Sequence, residues 1–444
     1  MDLSRRQFMI GCSAAIAAMS GTWITNLAFA GPKDTATRDL LVLISLRGGM
    51  DGLSLVAPVN DGDYIANRGG IGIPESGTSA GLRLANGPVA GLDFRLNAVA
   101  SPLKELYDSK SLAIIHACGL TNGTRSHFEA QEYMDRGIGT ASNTAAGWLT
   151  RHLAVLGNST IPGMTPGSAT PGSLIGDSRV VAMPDVSNFK LQNSKYVKQQ
   201  QAALYTLYEG NTAIHQTGRG TLDAITKIDS SIPKDKNGNP TPYVPENGAV
   251  YDNGLSNALK NVARLAKMDV GLQVAAIDTG GWDHHENLVP AFNATAANLA
   301  RSLSAFYNDM VRYYDKLTVV VVSEFGRRVK ANGSAGTDHG HGGVMMVLGG
   351  YVNGGKIYGS WPGLAVEQLD NRVDLAITTD YRNVLSEVLI TRAGNAAIDQ
   401  VFPGFTGYAP MGLVRGNGTP NTPPKAPPPP AAQPSKVYLP NVRK

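Results

Sequence analysis

Five short runs of this chain are apolar at nearly every position, and they constrain the fold more than any other feature. The first is Leu40-Leu41-Val42-Leu43-Ile44-Ser45-Leu46; Ser111 to Ala117, Leu272 to Ile277, Leu317 to Val322 and Val344 to Leu348 repeat it. Apolar runs of this length without polar alternation suit strands covered on both faces, as central parallel strands are. Segments of helical period lie between them: Tyr196 to Tyr208, Leu255 to Met268, about Pro290 to Tyr314, and Tyr381 to Thr391. In the third, Phe292, Ala296, Leu299, Leu303 and Phe306 share one stripe. Strands alternating with helices predict an α/β fold, a mainly parallel central sheet with helices on both faces. Gly157 to Ser173 and Ser230 to Gly248, rich in turn formers, read as insertions or long loops.

The two ends read differently from the middle. Ser4-Arg5-Arg6-Gln7-Phe8-Met9 has the twin-arginine signature, followed by a moderately apolar stretch from Ile10 to Leu27 and a small-x-small cleavage site at Ala28-Phe29-Ala30. Residues 1–30 therefore read as an export signal, with the twin-arginine translocase as partner, and 31–415 as the folded domain. An uncleaved membrane anchor is the alternative, disfavoured by Ser13, Ser20 and Thr25 within a barely sufficient span. Cys12 lies in the signal, so Cys118 is alone afterwards and no intramolecular disulfide is possible. Residues 416–435, with Pro427-Pro428-Pro429-Pro430, predict an extended spacer. Residues 436–444 then read either as a surface-attachment tag or as an end without a role. Net charge is +4 with no long Lys/Arg cluster, which argues against nucleic acid as a partner.

Chemistry-bearing residues gather in a few places. Five of the eight histidines fall in Arg125-Ser126-His127, Asp283-His284-His285 and Asp338-His339-Gly340-His341, each beside or near a carboxylate. Histidine with carboxylate is the usual donor set of a hydrolytic metal. Asp51 follows the first strand after Gly48-Gly49, where ligands of open α/β sheets sit, although a turn aspartate bonding its own backbone looks the same. Glu324 follows the fourth apolar run, as a ligand or simply as the strand leaving the core. Ser126-His127-Phe128-Glu129 fits a capping box at a helix running from Ser126 to Met134. The same Ser126, at a helix start, is also where a nucleophile gains from the helix dipole. Arg125 could hold an anionic group, and Arg327 or Arg328 could either neutralise Glu324 or bind substrate. His339-Gly340-His341 has little structural reason to exist unless it binds something. These residues predict one or two divalent ions, Zn, Mn or Mg before Ca, held by Asp51, Asp283, His285, Glu324, His339 and His341. Two such ions about 4 Å apart would clamp a phosphoryl or sulfuryl ester.

From Arg38 to about Gly394 the chain resembles the bacterial family called domain of unknown function 1501. The motifs that carry this are Leu46-Arg47-Gly48-Gly49-Met50-Asp51-Gly52-Leu53, Arg125 to Gln131, Gly281 to His285, Ser323 to Arg327, Gly336 to Gly340 and Thr378 to Arg382. That family in turn resembles, more remotely, the alkaline phosphatase and sulfatase superfamily. This second resemblance implies an early metal-binding Asp, a nucleophile at a helix start, and later Asp/His ligands. The order Asp51, Ser126, Asp283 with His285, Glu324, then His339 or His341 is compatible. Glu324-Phe325 stands where an Asp-His pair is expected, and Cys118-Gly119-Leu120 lacks the signature of a formylglycine sulfatase. The expectation is an exported metal-dependent hydrolase of small anionic phosphate or sulfate esters, with Ser126 attacking and Arg125 and Arg327 steadying the anion. The other reading is a non-catalytic surface protein that keeps the fold as a binding module.

Overall fold

Strand Leu40–Leu46 is buried at all seven positions, and its side chains divide between two cores. Leu40, Val42, Ile44 and Leu46 pack on one face with Leu259, Val262, Leu299, Leu303, Leu103 and Leu106. Leu41 and Leu43 pack on the other with Ala130, Tyr133, Leu149, Leu153, Val384 and Leu385. The first group comes from helices Gly254–Ala266, Leu288–Asp309 and Ser101–Asp108, the second from His127–Arg136, Trp148–Leu156 and Tyr381–Thr391. Each such side chain contributes about 1.5–3 kcal/mol on burial, which is why the strand tolerates no polar face. The computed structural model describes residues 39–157, 159–191, 195–252 and 254–422. The export signal and residues 423–444, including most of the Pro-rich spacer and the terminal tag, lie outside the described residues.

Among the described residues the strands are β1 (Leu40–Leu46), β2 (Val56–Pro58), β3 (Leu82–Arg83), β4 (Phe94–Leu96), β5 (Leu112–Gly119), β6 (Gly163–Thr165), β7 (Val180–Ala182), β8 (Val274–Thr279), β9 (Leu317–Ser323), β10 (Gly343–Gly349), β11 (Ile357–Tyr358) and β12 (Thr379–Asp380). The main sheet runs β11-β5-β10-β9-β1-β8-β6-β7, with β12 also on β5, while β2, β4 and β3 form a small second sheet. Pairings in the main sheet are parallel except those of β10. The expected mainly parallel sheet with helices on both faces is the architecture found.

Three details differ from expectation. β10 is antiparallel to β5 and β9, because residues 324–342 contain no crossover helix and the chain turns straight back. The supposed loop Gly157 to Ser173 contains β6, a three-residue buried strand joined to β8. Residues 416–421, expected to begin a free spacer, are pinned: Asn421 donates to Lys110 O and Val352 O, and its own carbonyl accepts from Tyr307. The long helix is Leu288–Asp309, with the whole predicted stripe buried.

The register lines up the strand ends. Leu46 stands opposite Thr279 on one side and Ser323 on the other, and Gly343, at the start of the reversed β10, stands opposite Cys118. The segments after Leu46, Gly119, Thr279 and Ser323, and the one before Gly343, therefore emerge at one edge of the sheet. That edge is the crevice outside the carboxyl ends where α/β sheets place ligands.

His116 on β5 is fully buried and neutral. Its Nε2 lies 2.9 Å from Val56 O, and its Nδ1 accepts from Ala117 N at 2.9 Å. Burial, partly offset by the Val56 carbonyl and Asp51, depresses this imidazole from its ordinary 6.5 to about 4. A folded-state value below the unfolded one means a contribution fully present above pH 6.5 and lost as pH falls towards 4, worth roughly 3 kcal/mol. Urea unfolding of wild type and His116→Gln should show a stability gap that narrows from pH 7.5 to pH 4.5; a constant gap contradicts this account.

Candidate metal centre

The glycine-rich turn after β1 is shaped by what crosses it. Gly48 has φ +123°, and a Cβ there would sit 2.6 Å from Asp283 N. Only glycine lets the loop after β8 pass so close. Gly48 N donates to Glu324 Oε1 at 2.7 Å, and Met50 N donates to Ser323 Oγ at 2.8 Å. The ends of β1 and β9 are thus stitched together, with the β8 loop laid over them. Gly340 plays a similar part: a Cβ there would lie 2.4 Å from the Arg327 carbonyl carbon, so the glycine between His339 and His341 is a packing requirement.

Three imidazoles and one carboxylate meet over this turn. His127 Nε2 is 3.0 Å from His339 Nε2, which is 2.9 Å from His285 Nε2. Asp283 Oδ1 lies 3.0 Å from His285 Nε2 and 3.5 Å from His339 Nε2, and Asp283 Oδ2 lies 3.6 Å from His127 Nε2. The far nitrogens explain the arrangement. His127 Nδ1 is 2.8 Å from Glu324 Oε1, His339 Nδ1 is 2.9 Å from the Arg125 carbonyl, and His285 Nδ1 is 3.5 Å from Asp338 Oδ1. Carboxylates and carbonyls only accept, so these partners assign the proton to Nδ1 of His127 and of His339 and leave their Nε2 atoms with bare lone pairs; His285 has a carboxylate at each nitrogen, Asp283 the nearer, and Arg327 Nη1 stands 3.4 Å from its Nε2. Bare lone pairs about 3 Å apart repel unless a cation lies among them. Imidazoles tied through their second nitrogen to a carboxylate or carbonyl are also how proteins orient metal ligands. The donor set, nitrogen with one oxygen, fits zinc, whose ligands at roughly 2.0–2.2 Å stand at such mutual distances. Asp283 and His285 are 47% and 44% exposed, so the cluster opens to solvent on one side.

The charges are held in place by unusually complete bonding. Burial alone would raise the Glu324 carboxyl, but Gln131, its own N–H, Gly48 N–H and His127 outweigh it and hold it below the usual range. Desolvation likewise opposes ionisation of Asp283, and the Arg327 guanidinium, with smaller help from His285 and His127, overcomes it. Burial keeps His339 below the ordinary imidazole range despite the Arg125 carbonyl.

The predicted site residues are distributed as follows. Asp283, His285 and His339 lie in the cluster. His127, quoted in the first histidine stretch but not chosen as a ligand, joins them; its signal was the same Arg125-Ser126-His127 run that drew attention to Ser126. Glu324 stands behind His127. Asp51 is not brought into the cluster: its Oδ1 accepts from Ser54 N at 3.1 Å, and its Oδ2 accepts from Arg68 at 2.6 Å and Thr337 at 3.1 Å. His341 points to a second group with Asp370 and Asp374. Both arginines have internal partners. Arg327 is buried and donates to Gly48 O, Gly49 O, Thr337 O and Asp283, and Arg125 is paired with Asp374. The capping box does not form. Ser126 is the N-cap of His127–Arg136 but makes no side-chain cap bond; the reciprocal bond is also absent, since Glu129 accepts from Thr124 at 2.6 Å and Tyr133 at 2.9 Å, and Ser126 N donates to Thr124 Oγ1.

Residues 262–382 match the family model described as "Protein of unknown function (DUF1501)". Four of the six motifs quoted above fall in that segment. No curated protein matches the chain. Similar solved structures include the C-terminal periplasmic domain of EcEptC from Escherichia coli in complex with Zn, 11% identical, with 74% of this chain and 77% of that chain covered and a TM-score of 0.28. PsFucS1 sulfatase from Pseudoalteromonas sp. is 11% identical over 93% and 78%, with a TM-score of 0.37. Alkaline phosphatase from the Antarctic bacterium TAB5 is 9% identical over 71% and 92%, with a TM-score of 0.28.

Arg68 and Asp51 form a buried pair, with side chains 1% and 2% exposed. Removing one partner of such a pair strands the other charge, at a cost of about 3–5 kcal/mol. Arg68→Met should lose that much stability in urea unfolding while the folded fraction binds Zn2+ with unchanged stoichiometry. Loss of Zn2+ from the folded fraction would instead put Asp51 in the metal centre.

Proposed function

We propose that this chain is a metal-dependent hydrolase of phosphate or sulfate esters, exported by the twin-arginine route that Ser4 to Met9 signals. The observation that carries the reading is the convergence of the Nε2 lone pairs of His127 and His339 on Asp283, each imidazole fixed from behind by an acceptor. His127, Asp283 and His339, with His285 beside them, would hold one divalent ion, zinc before manganese or magnesium, with calcium least suited to the nitrogen donors. A bound divalent ion supplies charge stabilisation for the ester oxygens and acidifies a hydroxyl close to it. Glu324 and the Arg125 carbonyl set the tautomers of His127 and His339. Arg327 orients Asp283 instead of contacting the anion, a change of role from the one expected.

Ser126 is the nucleophile in this reading. It is exposed, makes no side-chain cap bond, and directly precedes His127 at the positive end of a ten-residue helix. Its oxygen would attack phosphorus or sulfur as its proton passes to the departing alcohol, and water would then release inorganic phosphate or sulfate and restore the serine hydroxyl. A second reading, a non-catalytic surface protein attached through residues 416–444, is favoured by one observation. The two guanidiniums expected to hold an anion are engaged with Asp374 and Asp283.

Three measurements separate these. Elemental analysis of protein purified without added metal should find bound zinc, manganese or magnesium, and metal-free protein whose stability ignores chelators would end the metal reading. Ser126→Ala should reduce turnover of aryl phosphates or sulfates by at least 100-fold with little change in stability, since no cap bond is lost; retained turnover would remove Ser126 from the mechanism. Glu324→Gln should weaken Zn2+ binding about 10–100-fold in titration calorimetry, the usual effect of losing a partner behind a ligand. Unchanged affinity would show that His127 needs no such support.

A further inference from the structure

We infer that His341, Asp370 and Asp374 form a second cation site, separate in its ligands from the centre above and not dependent on its assignment. One nitrogen of His341 and one oxygen from each carboxylate lie within 4.8 Å of one another. The turn that carries the two aspartates is locked by its own backbone: Asp370 N donates to Asp374 O at 2.9 Å, and Asp374 N donates to Asp370 O at 3.0 Å. On the facing side, Gly342 N donates to Leu375 O at 2.9 Å and Gly326 N to His341 O at 2.8 Å, which fixes the histidine against that turn.

A His–Asp pair alone does not account for the group. His341 Nδ1 is paired with Asp370 Oδ2, so that proton is placed and Nε2 is left with a lone pair. This Nε2 is buried and finds no hydrogen-bond partner among the described residues, and His341 as a whole is only 8% exposed. Asp374 is fully buried. Its Oδ2 accepts from Arg125 Nε at 3.0 Å, while its Oδ1 finds no partner among the described residues. A buried imidazole lone pair and a buried carboxylate oxygen, both unmatched, each carry the full cost of desolvation. Both want a positive charge, and a donor cannot be supplied by the carboxylates themselves. Asp370 is about one-third exposed and borders a cleft of about 300 Å³ lined also by Thr121, His341, Gln368 and Ile377, which gives an entry path. Mixed nitrogen and carboxylate donors with room for water suit Zn2+ or Mn2+.

The test uses the full chain, loaded with Zn2+ or Mn2+, freed of excess ion and weighed by native mass spectrometry. Two ions per chain are expected in wild type, and one in His341→Ala, in Asp370→Asn and in His127→Ala. Asp370→Asn keeps the turn, whose bonds are backbone, so it carries the test if His341→Ala does not fold. Two ions retained in both Asp370→Asn and His341→Ala would overturn the proposal. A single ion in wild type, lost only in His127→Ala, would overturn it too while leaving the first centre standing. A single ion lost only in Asp370→Asn would support this site and remove the first.

Discussion

Everything at the open edge of the sheet hangs on one buried guanidinium. Arg327 takes its place at the end of β9 and donates to Gly48 O and Gly49 O from the β1 turn, to Thr337 O from the segment leading into β10, and to Asp283 from the β8 loop. A planar fork with five fixed donors can join four acceptors at set angles, as a lysine could not. Loops are otherwise the softest parts of an α/β fold. Here three of them share one rigid cross-brace, and the imidazoles are carried on those loops or face them. The cluster owes its geometry to this brace more than to the strands beneath it.

Around that brace, carboxylates play two parts that sequence does not separate. Asp283 faces the bare nitrogens. Glu324 stands one bond further out and accepts from His127, while Asp338 lies beside His285. Asp51, with the most favourable position after β1, is neutralised by an arginine 17 residues on. The difference lies in which donor reaches each oxygen first, and the donors come from distant parts of the chain.

The sheet was legible because burial on both faces leaves a continuous apolar run. β1 and the helix Tyr381–Thr391 agree with the sequence reading to the residue. Such a run carries no direction, so the sequence of β10 looks like that of a parallel strand, and only the lack of a crossover helix before it marks it as antiparallel. β6 is three residues long, too short for any period to register. The edge that gathers the chemistry was legible as well, since its histidines recur beside carboxylates at strand ends. Their division of labour was not. The Ser126-x-x-Glu129 pattern is a sound local signal, yet Glu129 found Thr124 and Tyr133 nearer to hand.

Arg125 serves two neighbours with different parts of itself. Its carbonyl accepts from His339 Nδ1, and its guanidinium donates to Asp374. Only the second link is written in the genetic code, because any residue at position 125 supplies a carbonyl. Substitution there can change what Asp374 faces without touching the proton on His339. The chain can thus vary one side of this junction by mutation while the other is protected by the backbone.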